Sequence, residues 1–118
     1  MKSIVVGAGN AGRPVARILN YIGYKVQIID QKNLGEFPKK YQEILLQMEQ
    51  EGVELNLGVD IPLELDKFDS AYLSPTIPSE SFIREQVNLS GLEIIEHEYI
   101  SRIINELINI ENKNIFGD

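Results

Sequence analysis

Residues 4–12 read Ile-Val-Val-Gly-Ala-Gly-Asn-Ala-Gly, an apolar run that feeds directly into glycines at positions 7, 9 and 12. An acid, Asp30, ends a second apolar run (Val26, Ile28, Ile29) eighteen residues after Gly12. This G-x-G-x-x-G spacing is suited to cradling a phosphate. Gly7 permits a tight turn, Gly9 lets the backbone approach a pyrophosphate, and Gly12 lets a following helix pack close to the strand. That helix would point its free N–H groups and the positive end of its dipole at the anion. An acid at the end of the next strand is placed to meet a ribose. The pattern therefore predicts a nucleotide-binding βαβ unit of Rossmann type. Glycines alone do not separate NAD from other nucleotides, and in a doubly wound fold the same three residues can serve the turn only.

Other residues with chemical potential are few. Arg13 and Arg17 on the first helix and Lys32 after the second strand make the glycine region locally positive in a chain of net charge −7. Arg13 is a candidate ligand contact, with plain solvation the alternative for both arginines. His97 is the single histidine and reads as a surface residue at a strand–helix junction. The acid pairs Glu64/Asp66, Glu93/Glu96 and Glu96/Glu98 read as solvated charges, and cysteine is absent. No catalytic residue and no metal site is predicted. The acidic balance argues against nucleic acid, which needs a basic footprint. With no apolar run of about eighteen residues or more, no membrane span is expected. The first strand starts at the N-terminus, which leaves no room for a signal peptide. Asn88-Leu-Ser90 matches a glycosylation sequon, but nothing else points to secretion, and the expected address is cytoplasmic.

The elements that must position the glycine turn follow from hydrophobic periodicity, which alternates between strand and helix along the chain. Strands are expected at about Ser3–Val6, Lys25–Ile29, Val53–Leu57, Asp69–Leu73 and Leu92–Ile95. Helices are expected at about Ala11–Ile22, Lys39–Glu51, from Ser79 or Ser81 to Asn88, and Glu98–Ile110. The last helix should bury Ile100, Ile103, Ile104, Leu107 and Ile108. Residues 58–68 read as irregular, and Ser74-Pro75-Thr76-Ile77-Pro78 must be a loop, since two prolines in four residues bar helix and central strand. The expected fold is α/β: one Rossmann-like domain over residues 1–118, a doubly wound parallel sheet of order 3-2-1-4-5 with helices on both faces. Ligands of such sheets sit at the carboxyl ends of the strands where strand order reverses. That point is shared by the Gly7–Gly12 and Ser74–Pro78 loops.

The second loop carries a resemblance. Leu73-Ser74-Pro75-x-Ile77-Pro78, then a helix, then Gly91-x-x-Ile94-Ile95 and an acidic stretch, resembles the N-terminal domain of the Mur ligase family. Val-Gly-Ala-Gly-Asn-Ala-Gly at 6–12, Gly-Tyr-Lys-Val at 23–26 and Glu-Gly-Val-Glu-Leu at 51–55 fit the same pattern. Within the family the chain is most similar to the ligases that add D-glutamate to UDP-N-acetylmuramoyl-L-alanine, and archaeal pseudomurein ligases would look alike. The resemblance implies a UDP-sugar ligand. Gly7, Gly9, Asn10, Ala11 and Gly12 would meet its diphosphate, Asp30, Gln31 and Lys32 would flank the uracil, and Ser74, Pro75 and Thr76 would close over the uridine. Thr76 stands where the family usually has glycine, so its side chain either crowds the nucleotide or adds a hydroxyl contact. The match is poor at Glu96–Ile100. The family's G-x-x-G-K-[ST] loop is absent here, so ATP and Mg are expected only in a central domain outside this chain, with further C-terminal domains as its partners. On the resemblance alone the chain would not ligate by itself. An NAD-binding domain of an oxidoreductase or sensor is the alternative.

Overall fold

Strands and helices alternate as β1 Lys2–Val6, α1 Gly12–Tyr21, β2 Lys25–Asp30, α2 Lys39–Gln50, β3 Glu54–Leu57, β4 Ser70–Leu73, α3 Phe82–Ser90, β5 Glu93–Ile94 and α4 His97–Phe116. The computed structural model describes residues 1–59, 64–78 and 80–116 and, in the last helix, side chains up to residue 110. All four strand pairings are parallel, and the sheet order is β3-β2-β1-β4-β5, as the sequence predicts. Strand order reverses at β1, whose Val5 lies level with Ile28 of β2 on one side and Tyr72 of β4 on the other.

Side chains alternate across the sheet, so successive residues of each strand enter opposite layers. Val5, Ile28 and Tyr72 join Val15, Ala16 and Leu19 of α1, Leu45 and Met48 of α2, and Ile100 of α4. Ile4, Val6, Ile29, Ala71 and Leu73 face the other way and pack with Ile83 and Val87 of α3 and with Leu65. Helices thus cover both faces. Ser3 and Ser70 sit side by side in the register of β1 and β4, and their buried hydroxyls hydrogen-bond to each other. Two polar side chains inside the core satisfy each other in this way.

The observed elements depart from the expected ones mainly at their ends. Ser81 caps α3, its Oγ accepting from the Arg84 N–H, and the helix runs to Ser90. The other cap candidate, Ser79, lies outside the described residues. β5 shortens to two residues, although the Ile95 N–H still reaches the Ala71 carbonyl at 2.8 Å. The segment read as irregular contains a 3₁₀ turn at Leu65–Lys67, and its residues 60–63 lie outside the described part. Among the described residues no helix is long and apolar enough to cross a membrane.

The largest correction concerns α4, a helix of 20 residues that starts one residue earlier and ends six later than expected. Of the residues expected on its apolar stripe, Ile100 alone is buried. Ile103 and Leu107 are half-buried, while Ile104 and Ile108, expected in the core, are exposed. The helix is about 30 Å long at 1.5 Å per residue, and the helix packed against it is the ten-residue α1. Periodicity places these isoleucines on one stripe but supplies nothing to cover it.

One contact ties the start of α4 to the start of β2. The Tyr24 and Tyr99 hydroxyls lie 3.2 Å apart. The hydrogen bond to Tyr99, followed by partial burial, pushes the Tyr24 phenol up to about 12. An unfolded tyrosine ionises near pH ~10, so the folded state holds this proton longer. The resulting stabilisation is complete below pH ~10 and is lost as pH rises toward 12. Urea midpoints for wild type and Tyr24→Phe at pH ~9 and pH ~11.5 test this. Wild type should lose more stability than the variant across that interval, and equal losses would show that the pair contributes nothing.

Candidate functional site

The carboxyl end of β1 runs into the glycine turn. Gly7 adopts φ +104°, a conformation that L side chains rarely take. Its N–H donates to the Ile29 carbonyl at 2.8 Å, which keeps the turn in the sheet for one more residue. Gly12 is required for a different reason. A Cβ there would lie 1.7 Å from the Gly7 carbonyl oxygen, so any side chain would force α1 away from β1. At Gly9 a Cβ would meet nothing within 4 Å. The neighbourhood of Gly9 is open space, and the protein's own packing does not require glycine at that position.

Asp30 acts on this turn from the adjacent strand. One carboxylate oxygen accepts the Ala8 N–H at 2.9 Å and the other accepts the Lys32 N–H at 2.9 Å. The side chain therefore spans the glycine turn and the end of β2, with one backbone donor on each oxygen. Below it, the Gly58 N–H donates to the carbonyls of Asp30 and Lys32, which fixes the backbone of the Asp30-Gln31-Lys32 rim.

Arg13 is neither solvated nor turned toward the cleft. It is 7% exposed, and its guanidinium donates to the Ala8 carbonyl at 2.9 Å and to Asn10 Oδ1 at 3.0 Å while lying 3.9 Å from the centre of the Tyr41 ring. Its charge is used to hold the glycine turn from beneath. Arg17 makes a two-pronged pair with Glu51, at 2.9 and 2.7 Å, on the outer surface. Neither arginine of α1 lines the cleft between the two loops. Lys32 stays exposed at the rim, its Nζ 5.8 Å from the centre of the Phe37 ring.

The second loop is braced in a similar way. The Ser74 N–H donates to the Val6 carbonyl, continuing the β1–β4 ladder past the strand ends. Its hydroxyl meets that of Thr76 at 3.0 Å, so the Thr76 hydroxyl is engaged within its own loop. Arg84, reaching back from α3, donates through Nη2 to the carbonyls of Ser74 and Ile77.

Between the two loops lies a cleft of about 520 Å³, within the range of small-molecule sites. Of the residues singled out from the sequence, Gly7, Gly9, Asp30, Gln31, Lys32, Ser74 and Thr76 line it. Asn10, Ala11, Gly12 and Pro75 do not: Asn10 is held by Arg13, and Gly12 is a packing residue. Ile77 and Pro78, in the loop that the sequence singled out, line it too, whereas sequence reasoning missed Phe37 beside Lys32 and Phe82 and Ile83 of α3. Phe82 was the findable one, an aromatic immediately after the cap of the helix that leaves the second loop. His97 is exposed at the start of α4 and distant in sequence from every lining residue, and Glu64 pairs with Lys67. Other hollows lie elsewhere, including one of about 320 Å³ around Tyr24, Glu93 and Tyr99 at the amino ends of the strands.

Because the Asp30 carboxylate holds two backbone N–H groups, Asp30→Ala should cost stability with no ligand present. The expected loss is about 1–3 kcal/mol, the scale of hydrogen bonds to a charged group, read as a lowered urea midpoint. An unchanged midpoint would show that the brace carries no net energy.

No family model matches the chain. Over 118 residues it is 38% identical to an uncharacterized protein of Methanothermobacter thermautotrophicus, covering 99% of this chain and 38% of that protein. It is 34% identical over 118 residues to a UDP-N-acetylmuramoylalanine–D-glutamate ligase of Clostridium botulinum, covering 98% of this chain and 23% of the ligase. Among solved structures, a pseudomurein peptide ligase type C from Methanothermus fervidus superposes with a TM-score of 0.67 at 26% identity, covering 84% of this chain and 19% of that one. The chain thus spans about two fifths or less of the length of the relatives it matches. Sequence and fold together support a Mur ligase-like domain.

Proposed function

We propose that this chain binds the nucleotide end of a UDP-sugar of the UDP-N-acetylmuramoyl-peptide type, as the substrate-holding domain of an ATP-dependent amino-acid ligase in cell-wall precursor synthesis. The observation that carries this reading is the open space at Gly9 within a cleft at the strand-order reversal, in a chain related to such ligases. A diphosphate at Gly9 would lie beside the start of α1, where backbone N–H groups and the helix dipole favour an anion. A uracil offers one N–H donor and two carbonyl acceptors, complementary to the amide of Gln31 and to the donors of Lys32 at the opposite rim.

On this reading Asp30 is chiefly a positioning residue. Its two oxygens set the shape of the turn that meets the phosphates, and the contact with uridine falls to its neighbours. The sequence contains no G-x-x-G-K-[ST] loop. Activation of the substrate by ATP and Mg would therefore belong to parts that the longer relatives carry. This chain's part is to bind and orient.

Isothermal titration of the purified chain with UDP, UDP-N-acetylmuramoyl-L-alanine, NAD and NADH in one buffer tests the proposal. Heat from the two uridine ligands and none from the nicotinamide ones is expected. Binding of NAD or NADH without UDP would replace this reading with the redox one. Gly9→Val is expected to keep the wild-type melting temperature, because its side chain enters open space, and to abolish UDP binding. Wild-type UDP affinity in that variant would remove the glycine turn from the site.

A further inference from the structure

Among the described residues, eight large apolar side chains are exposed, and of these Phe82 is the one that lines the cleft between the two loops. Its ring is 57% exposed, a placement that has an energetic cost in water unless something covers it. The position of the ring is set by its surroundings. Ser81 caps α3 immediately before it, and Ile83 immediately after it is buried in the core against Val87 and Leu73. Arg84, one residue further, is bonded to the carbonyls of the second loop. With its neighbours pinned, Phe82 is held at the rim of the cleft rather than folded into the core.

We infer that Phe82 is the stacking platform for the pyrimidine base of the bound nucleotide and thereby a determinant of affinity for it. This rests on the nucleotide reading above and deepens it. The cleft has two rims. Asp30, Gln31 and Lys32 stand at the end of β2 with the buried ring of Phe37 beside them, while Ser74, Thr76, Ile77, Pro78 and Phe82 stand at the end of β4, and among the described lining residues Phe82 carries the exposed aromatic ring. β1 and its glycine turn lie between them. Two strand spacings separate the rims, about 10 Å. A pyrimidine has polar edges and apolar faces. One face against the Phe82 ring leaves its edge toward Gln31 and Lys32 and its phosphates toward Gly9. Stacking on an aromatic ring is the usual way such a face is covered in nucleotide sites.

The chain contains no tryptophan, so a Phe82→Trp change introduces a single reporter of the ring's surroundings. UDP is expected to quench its emission, while inorganic pyrophosphate at the same concentration does not. In calorimetry Phe82→Leu should bind UDP about tenfold more weakly than wild type, a typical stacking contribution. Its melting temperature should be unchanged, since the residue is exposed. Should wild type bind UDP while Phe82→Leu keeps full affinity, Phe82 does not touch the base and only the nucleotide reading survives. Phe82 is equally excluded if the Phe82→Trp emission is unmoved, or is moved as much by pyrophosphate as by UDP. Absence of UDP binding by wild type would overturn both.

Discussion

The Gly7 carbonyl oxygen occupies the place that a Cβ of residue 12 would need, 1.7 Å away. That single steric constraint brings the first turn of α1 into contact with the end of β1. The positive φ of Gly7 turns the chain sharply enough to get there. With α1 seated this closely, Val15, Ala16 and Leu19 reach the layer formed by Val5, Ile28 and Tyr72. The same turn carries Gly7 and Gly9, which line the cleft. Core packing and placement of the candidate site are therefore one arrangement, and neither can be relaxed without the other.

Around that contact the molecule uses charge sparingly and mostly on itself. Arg13 and Arg84 each reach backbone carbonyls of a cleft loop, and Asp30 receives backbone N–H groups from the glycine turn and from its own strand end. Loops exposed at the carboxyl edge of a sheet have no ladder partners beyond the last strand residue, and fixed side-chain charges supply those bonds instead. The outcome is two stiff rims facing each other across about 520 Å³. Exposed Gln31, Lys32 and Phe82 remain available on those rims, while Arg13, Asp30 and Arg84 do the holding.

Much of this architecture is legible in the chain itself. The alternation of two periodicities predicts five strands and four helices, and the handedness of βαβ crossovers then leaves the order 3-2-1-4-5, which the structure has. The glycine turn and the Ser74–Pro78 loop are legible as neighbours for the same topological reason. Arg13 is not legible. A basic residue on the first turn of a helix reads as a phosphate contact or a solvated charge, and only Tyr41, arriving from α2, shows that its guanidinium is enclosed. α4 fails in the opposite sense, since an amphipathic stripe states which residues share a face and not whether a partner exists for it.

By itself, then, the sequence determined the elements, their order in the sheet and the turn at Gly7–Gly12, because periodicity, turn chemistry and crossover handedness are local or topological properties carried by residue types at fixed spacings. The tertiary structure decided which side chains serve the cleft and which serve the protein. Asp30, Asn10 and Arg13 became braces, Gly12 a packing contact, and Phe82 an exposed wall. That division depends on what arrives from elements distant along the chain, and distances of a few ångströms between such elements are not encoded in any spacing of residues.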